Sequence, residues 1–247
     1  MQSITIYNGP PGSGPNPWKV AIILKELNLS WEFAWIPYSD IVKEPYLSLN
    51  PNGRLPSMVD PNTKVTLFES GAIIQYLIQQ YDNRNLLSYS PLNLQERWAT
   101  DSWLMFQMSG QGPMFGQKMW FTHFHHKRNV ETAISRYGEQ SKRIISVIDR
   151  HLKKRRQELN LGSDHPVWLV GDKCTYADLS FVPWNILLIT SLFPDEESKP
   201  EEGFSEFLRW HQTMVKRPAV AEAIAERDLA MRTMENTAAV VLPSRED

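Results

Sequence analysis

The sequence predicts an α/β N-terminal domain followed by an all-α domain. Strand and helix signals alternate through the first eighty or so residues, and strand signals nearly vanish after Asn93. A polar, turn-rich stretch, "NRNLLSYSPLN", separates the two regions. The expected division is a first domain over 1–83, a linker at 84–92, a helical domain over 93–232 and a polar tail over 233–247.

In order along the chain, Ile4 to Asn8 reads as a strand, and Val20, Ile23, Leu24 and Leu27 recur at helical spacing. "WEFAWIPY" reads as a second strand. "GRLPSMVDPNTKVTLFES" holds two short strands joined by an Asp-Pro-Asn turn, a hairpin signal. Ile73, Ile74, Leu77, Ile78 and Tyr81 then form an amphipathic stripe. The order is therefore βαβ followed by ββα. Beyond the linker, "LQERWATDSWLMFQM" and "AISRYGEQSKRIISVIDRHLKKRR" carry helical periodicity. "CTYADLSFVPWNILLI" opens with Thr175 and Asp178 at capping-box spacing, with Asp in place of the usual Glu. "FSEFLRWHQTMVKRP" ends with Pro218 after a helical run.

Composition narrows the function. With 247 residues, 42% of them apolar, the chain can build two real cores. A net charge of -2 gives no footprint for nucleic acid or an anionic membrane. The single cysteine, Cys174, excludes an internal disulfide and suits a reducing compartment. No signal peptide or membrane span is read, since the longest nearly apolar run, Phe181 to Phe193, falls short of the ~20 residues a span needs. A soluble cytoplasmic protein is expected.

The stretch "YNGPPGSGPNPWKVAIILKEL" raises the functional question, because a strand, a Gly/Pro loop and a helix start often hold an anion. A phosphate loop fails here: Gly9 and Gly14 have the right separation, but Pro15 and Asn16 follow where Lys and Ser or Thr are needed. The dinucleotide fingerprint fails too, with Pro17 in place of its third glycine. What remains is a well-marked helix start, with Asn16 read as the N-cap and Pro17 in the first turn. Downstream, Pro56 directly precedes a strand, where a cis peptide would expose the backbone of Leu55. Glu69 and Ser70 open the next helix, whose free N–H groups suit a carboxylate.

Taken together, "PNPWKVAIILKEL", "NPNGRLPSMVDP", "FESGAIIQYL", "MSGQGPMFGQ" and "GDKCTYADLS" resemble the cytosolic glutathione transferases over residues 3 to 225. The similar branch is the fungal one that includes the yeast nitrogen-repression regulator, together with its bacterial nu-class cousins. The resemblance implies a thioredoxin-like N-terminal domain, an all-helical C-terminal domain, a homodimer, and glutathione as co-substrate. It further implies that Asn16 contacts the glutathione sulfur and that Leu55, next to cis-Pro56, pairs with the cysteinyl peptide. Glu69 and Ser70 would hold the γ-glutamyl group, with Arg54 and Lys43 as candidates for the glycyl carboxylate. Ile41 and Val42 stand where the regulator has a histidine, and its long polar tail is missing.

The chemistry follows from the thiol. Its ordinary pKa of about 8.5 must fall by about 2 units, or roughly 2.7 kcal/mol, for the thiolate to dominate at neutral pH. A helix N-terminus supplies about 0.3–2 kcal/mol. A hydrogen bond to a charged sulfur adds roughly 1.5–3 kcal/mol. Asn16 with backbone N–H groups therefore suffices, and no metal is required. Asn16 is favoured as the donor because cap geometry fixes its direction; Ser13 is the rival and Tyr7 a weaker third. The apolar electrophile would meet Gln107, Gln111, Met114 and Phe115, near a kink expected from Gly110, Gly112 and Pro113.

Other features are read as structural. His123, His125 and His126 lack partners to complete a metal site. Lys153 to Arg156 reads as a solvated face that complements the end of a helix, Cys174 as packing and Asp178 as a cap. The functions in play are glutathione transfer in detoxification, glutathione-dependent disulfide reduction, isomerisation in secondary metabolism, and non-catalytic glutathione binding.

Overall fold

The protein is described by a computed structural model covering residues 1–10, 14–127, 130–193 and 203–235. Its first unit holds β1 (Ile4–Asn8), α1 (Asn16–Glu26), β2 (Trp31–Trp35), β3 (Ser57–Asp60), β4 (Val65–Phe68) and α2 (Ser70–Tyr81). This is the expected βαβ–ββα order. The sheet runs β2-β1-β3-β4. β1 and β2 are parallel, as their helical crossover demands, while β3 is antiparallel to both β1 and β4. The "DPNT" turn closes the β3–β4 hairpin with Asp60 paired to Val65. Asp60 anchors that turn by accepting bonds from the Asn62 N–H at 2.9 Å and the Tyr76 hydroxyl at 2.6 Å.

The core of this unit follows from the apolar alternation. Ile4 and Ile6 of β1, Met58 of β3, Ile73, Ile74 and Leu77 of α2, and Val20, Ile23 and Leu24 of α1 are all fully buried. Each such side chain contributes about 1.5–3 kcal/mol. α1 is covered on every face, with Pro17 to Leu24 buried without interruption. A third element completes that cover. α8 (Pro218–Glu235) groups with residues 1–83 and not with the helical unit, contrary to the expected division. Its Val220 and Ala223 are buried, and Lys25 on α1 meets Glu226 at 2.7 Å and Glu222 at 3.6 Å.

The second unit spans 84–217 and contains α3 (Leu94–Phe106), α4 (Gly112–Met119), α5 (Glu131–Glu158), α6 (Tyr176–Leu187) and α7 (Ser205–Val215). The segment expected as a linker belongs to it. Leu87 and Ser88 are buried, the Leu87 carbonyl accepts from the Tyr176 N–H at 3.0 Å, and the Tyr89 hydroxyl donates to Asp172 at 3.0 Å. The expected kink is instead a π-helical turn at Gln107–Gln111, through which α3 passes into α4 without a break. Pro113 follows directly on that turn, in the first turn of α4.

Thr175 and Asp178 form the expected capping box. Asp178 does more, as its fully buried carboxylate also accepts from the Leu169 N–H at 2.9 Å and Trp210 Nε1 at 2.8 Å. The run Lys153 to Arg156 is only half a solvated face. Arg155 donates to the carbonyls of Trp168 and Gly171, at 2.8 and 2.6 Å. Arg156 pairs with the buried Glu206 at 3.0 Å. These two arginines tie α5 to the chain that leads into α6 and to α7. Residues 233–247, expected as a polar tail, lie almost wholly outside the described residues.

Candidate glutathione site

The candidate site lies in the first unit. Pro15 (φ −68°, ψ −15°) is the boundary residue of α1, and Asn16 is its first helical residue, so the expected N-cap role of Asn16 is corrected by one position. Pro17 does fall in the first turn. The first intrahelical bond runs from the Lys19 N–H to the Pro15 carbonyl at 3.2 Å. The N–H groups of Asn16 and Trp18 precede it, and Pro17 has none. No acidic residue occupies the first turn, so the positive end of the helix dipole is not neutralised locally. Asn16 is half-buried in that turn. Ser13, its rival, lies outside the described residues. Tyr7 stands in β1 with its ring edge against Tyr46.

The Leu55–Pro56 peptide is cis, as the sequence suggested. The β1–β3 ladder begins at Ser57, which leaves the Leu55 backbone beyond the end of the sheet. Gly9, the first residue after β1, packs closely there: a Cβ would come within 2.9 Å of the Leu55 side chain and 3.1 Å of Tyr38. That close approach sets Leu55 against the start of the β1–α1 loop. Lys43 and Arg54 are both exposed. Lys43 pairs with Asp40 at 3.3 Å. The loop that carries it lies on Gly53 (φ +59°), where a Cβ would stand 3.0 Å from the Ile41 carbonyl, so the segments of Lys43 and Arg54 abut.

Glu69 is the boundary residue of α2, with φ 67° and ψ 114°. A non-glycine residue held there costs of order 1–3 kcal/mol, and such outliers gather at ligand-holding positions. Ser70 behind it is buried. The first intrahelical bond of α2 is from Ile73 to Glu69 at 2.9 Å, so the N–H groups of Ser70, Gly71 and Ala72 precede it. Two helix N-termini and one strand-end peptide of the first unit thus carry the candidate backbone donors.

Sequence reasoning missed Lys19. It is 1% exposed, on the first turn of α1 and three residues beyond Asn16. Burial pulls its ammonium down to about 7, opposed by the negative charge of Glu69. The signal was its setting in "PWKVAIIL", a helix apolar on all sides. A lysine with a lowered folded pKa leaves the folded chain holding fewer protons than the unfolded one between about pH 7 and 10. Stability should therefore rise with pH there, by at most about 1.4 kcal/mol per unit. Urea unfolding at pH 7, 8 and 9 should show the rise, and Lys19→Met should remove it. The hydroxyls of Tyr81 and Tyr89 are pushed up beyond this window by burial.

The residues expected to meet the electrophile lie in the second unit. Gln107, Gln111 and Phe115 have zero exposure, and only Met114 reaches partial exposure. The amides are joined in series: Gln107 donates to Gln111 at 3.1 Å, and Gln111 to Asn185 at 2.7 Å. The expectation of an open pocket at this helix therefore rests on Met114. His123 bonds the Ser191 carbonyl at 2.8 Å. Among the described residues, no three His, Cys, Asp or Glu side chains gather as a metal site.

Known proteins share this sequence and fold. Residues 12–85 match the glutathione S-transferase N-terminal domain and residues 112–218 the C-terminal domain of the same family. The glutathione S-transferase-like protein tpcF of Aspergillus fumigatus is 41% identical over 226 residues, covering 92% of this chain and 96% of that one. Glutathione S-transferase 2 of Schizosaccharomyces pombe is 38% identical over 237 residues, with 92% and 96% covered. The crystal structure of the glutathione transferase URE2P6 from Phanerochaete chrysosporium, solved with oxidized glutathione, superposes with a TM-score of 0.82. It is 38% identical, covering 93% of this chain and 98% of that one. This chain belongs to the glutathione S-transferase family, whose members use glutathione as co-substrate.

Proposed function

We propose that the protein ionises the glutathione thiol at the start of α1 and delivers the thiolate to an apolar electrophile. The observation that carries this reading is the pair of helix N-termini. Neither has an acidic residue in its first turn, one begins with Asn16, and the other begins behind the strained Glu69. Asn16 donates to the sulfur, Leu55 pairs with the cysteinyl peptide, Glu69 and Ser70 hold the γ-glutamyl group, and Arg54 and Lys43 hold the glycyl carboxylate. Asn16 carries no proton away. It stabilises the anion, and the thiol proton leaves to water. The thiolate then forms a C–S bond as the electrophile loses a leaving group or takes up a proton across a double bond.

Titrating bound glutathione by its ultraviolet thiolate absorbance should give a pKa about 2 units below the free value of about 8.5. An unshifted thiol would end the transferase reading. A panel of apolar electrophiles then identifies the substrate class.

Disulfide reduction is the second reading. The chain's one cysteine, Cys174, is buried, so both electrons would come from two glutathione thiols, which leave as oxidised glutathione. The complex of URE2P6 with oxidized glutathione favours testing it. Turnover of mixed disulfides in the absence of electrophile turnover would select it. A homodimer is supported by an apolar stripe of Leu94, Trp98 and Met105 on α3, which are 61%, 64% and 44% exposed. The single buried cysteine supports a cytoplasmic setting. No helix of the described residues is long and apolar enough to cross a membrane.

A further inference from the structure

We propose that Tyr46 and Asn50 are positioning residues that aim the Leu55 N–H at the peptide backbone of the ligand. This rests on the glutathione reading above but concerns residues which that reading does not use. Tyr46 stands in a single 3₁₀ turn, Tyr46–Ser48, and is 1% exposed. Its hydroxyl donates to the Arg54 carbonyl at 2.7 Å and lies 2.7 Å from Ser57 Oγ. One hydroxyl has one hydrogen, so Ser57 must be the donor in the second bond. The bonds run in series, Ser57 to Tyr46 to Arg54, and bridge the cis peptide from both sides. Asn50, 2% exposed, donates a further bond to the same carbonyl at 2.6 Å. Both lone pairs of that oxygen are thereby engaged.

The consequence follows from peptide planarity. The Arg54 C=O and the Leu55 N–H belong to one rigid unit and point in opposite directions. Fixing the carbonyl with two buried donors therefore fixes the N–H, which lies beyond the end of the β1–β3 ladder. Two bonds accepted at the oxygen also polarise the amide and strengthen its N–H as a donor. Burial raises the Tyr46 phenol above its ordinary pKa, against the bonds from Ser57 and Asn50, so it remains a donor through the physiological range. Asn50 is itself held in place: its Oδ1 accepts from the Asn52 N–H at 2.9 Å, and its carbonyl accepts from Gly53 at 3.0 Å. The clamp thus pre-orients one hydrogen bond before the ligand arrives, which lowers the entropy cost of binding.

The test is calorimetric titration of S-methylglutathione, whose capped sulfur removes thiol ionisation from the measurement. Tyr46→Phe keeps the buried ring and loses the hydroxyl. It should weaken binding about tenfold and raise KM for glutathione by the same factor. It should leave kcat at saturating glutathione and the thiol pKa of bound glutathione unchanged. Tyr76→Phe, which loses a hydroxyl from the Asp60 turn of the same unit, controls for general loosening and should bind as the wild type does. Wild-type affinity in Tyr46→Phe, or equal weakening in Tyr76→Phe, overturns the positioning role alone. Failure of the wild type to bind S-methylglutathione or glutathione overturns the glutathione reading and this inference with it.

Discussion

Asp178→Ala should cost about 3–5 kcal/mol of stability, the loss typical of removing one partner from a buried charged network. Four donors converge on this carboxylate: the Leu169 N–H, the Thr175 N–H at 2.9 Å, the Thr175 hydroxyl at 2.8 Å and Trp210 Nε1. Burial pushes the carboxyl up, and the four donated bonds pull it back. With Ala in its place the donors stay buried with nothing to accept from them, at about 1–3 kcal/mol for each one left unsatisfied. Three parts of the helical unit lose their common anchor: the start of α6, the 167–170 segment and α7. Urea unfolding followed by circular dichroism should show the midpoint falling by on the order of 1–2 M. Asp178→Asn should fall between the two, since its carboxamide keeps one acceptor and adds an unmatched donor. Glutathione affinity measured below the transition should survive, because every residue assigned to the tripeptide lies in the first unit. A midpoint unchanged in Asp178→Ala would mean that the network contributes no net stability.

Asn16→Ala should raise the thiol pKa of bound glutathione by about 1–2 units, the equivalent of one hydrogen bond to a charged group at roughly 1.5–3 kcal/mol. From a bound pKa of about 6.5, this cuts the thiolate present at pH 7, and the conjugation rate with it, by about 3- to 25-fold. The position of Asn16 matters here. Had it been the N-cap, its loss would weaken the helix by about 0.5–2 kcal/mol and blur the chemistry. Because Pro15 is the boundary residue and Asn16 is already helical, Ala is well tolerated at that position. The expected signature is therefore selective: thiol pKa and rate move, while urea midpoint and affinity for S-methylglutathione stay close to wild type. An unshifted thiol pKa in Asn16→Ala would transfer the role to backbone N–H groups or to Ser13.

Much of this architecture was legible in the sequence because its causes are local. Alternating Ile4 and Ile6, the "DPNT" turn, and the spacing of Thr175 and Asp178 each act within a few residues, and each formed the element its pattern implies. The misreadings share a different origin. Arg155 and Arg156 look like a solvated charge run until residues 162–171 and Glu206 supply carbonyls and a carboxylate from far along the chain. The positive φ of Glu69 has no sequence mark, since any residue type can be forced there by the elements on either side. The allegiance of α8 was equally hidden: its apolar positions show that it packs on something but not on what. Lys19 was in view and unweighed, although an ionisable group inside an uninterrupted apolar helix is the pattern most worth asking about.

The return of α8 to α1 has a consequence for biosynthesis. The unit that begins at the first residue is missing a wall until the ribosome has translated past residue 217, so the face of α1 that carries Lys25 waits uncovered while the whole intervening unit is made. A fragment ending at Asn83 would keep every residue assigned to the tripeptide and still lack that wall, and stickiness rather than lost chemistry would be its failing.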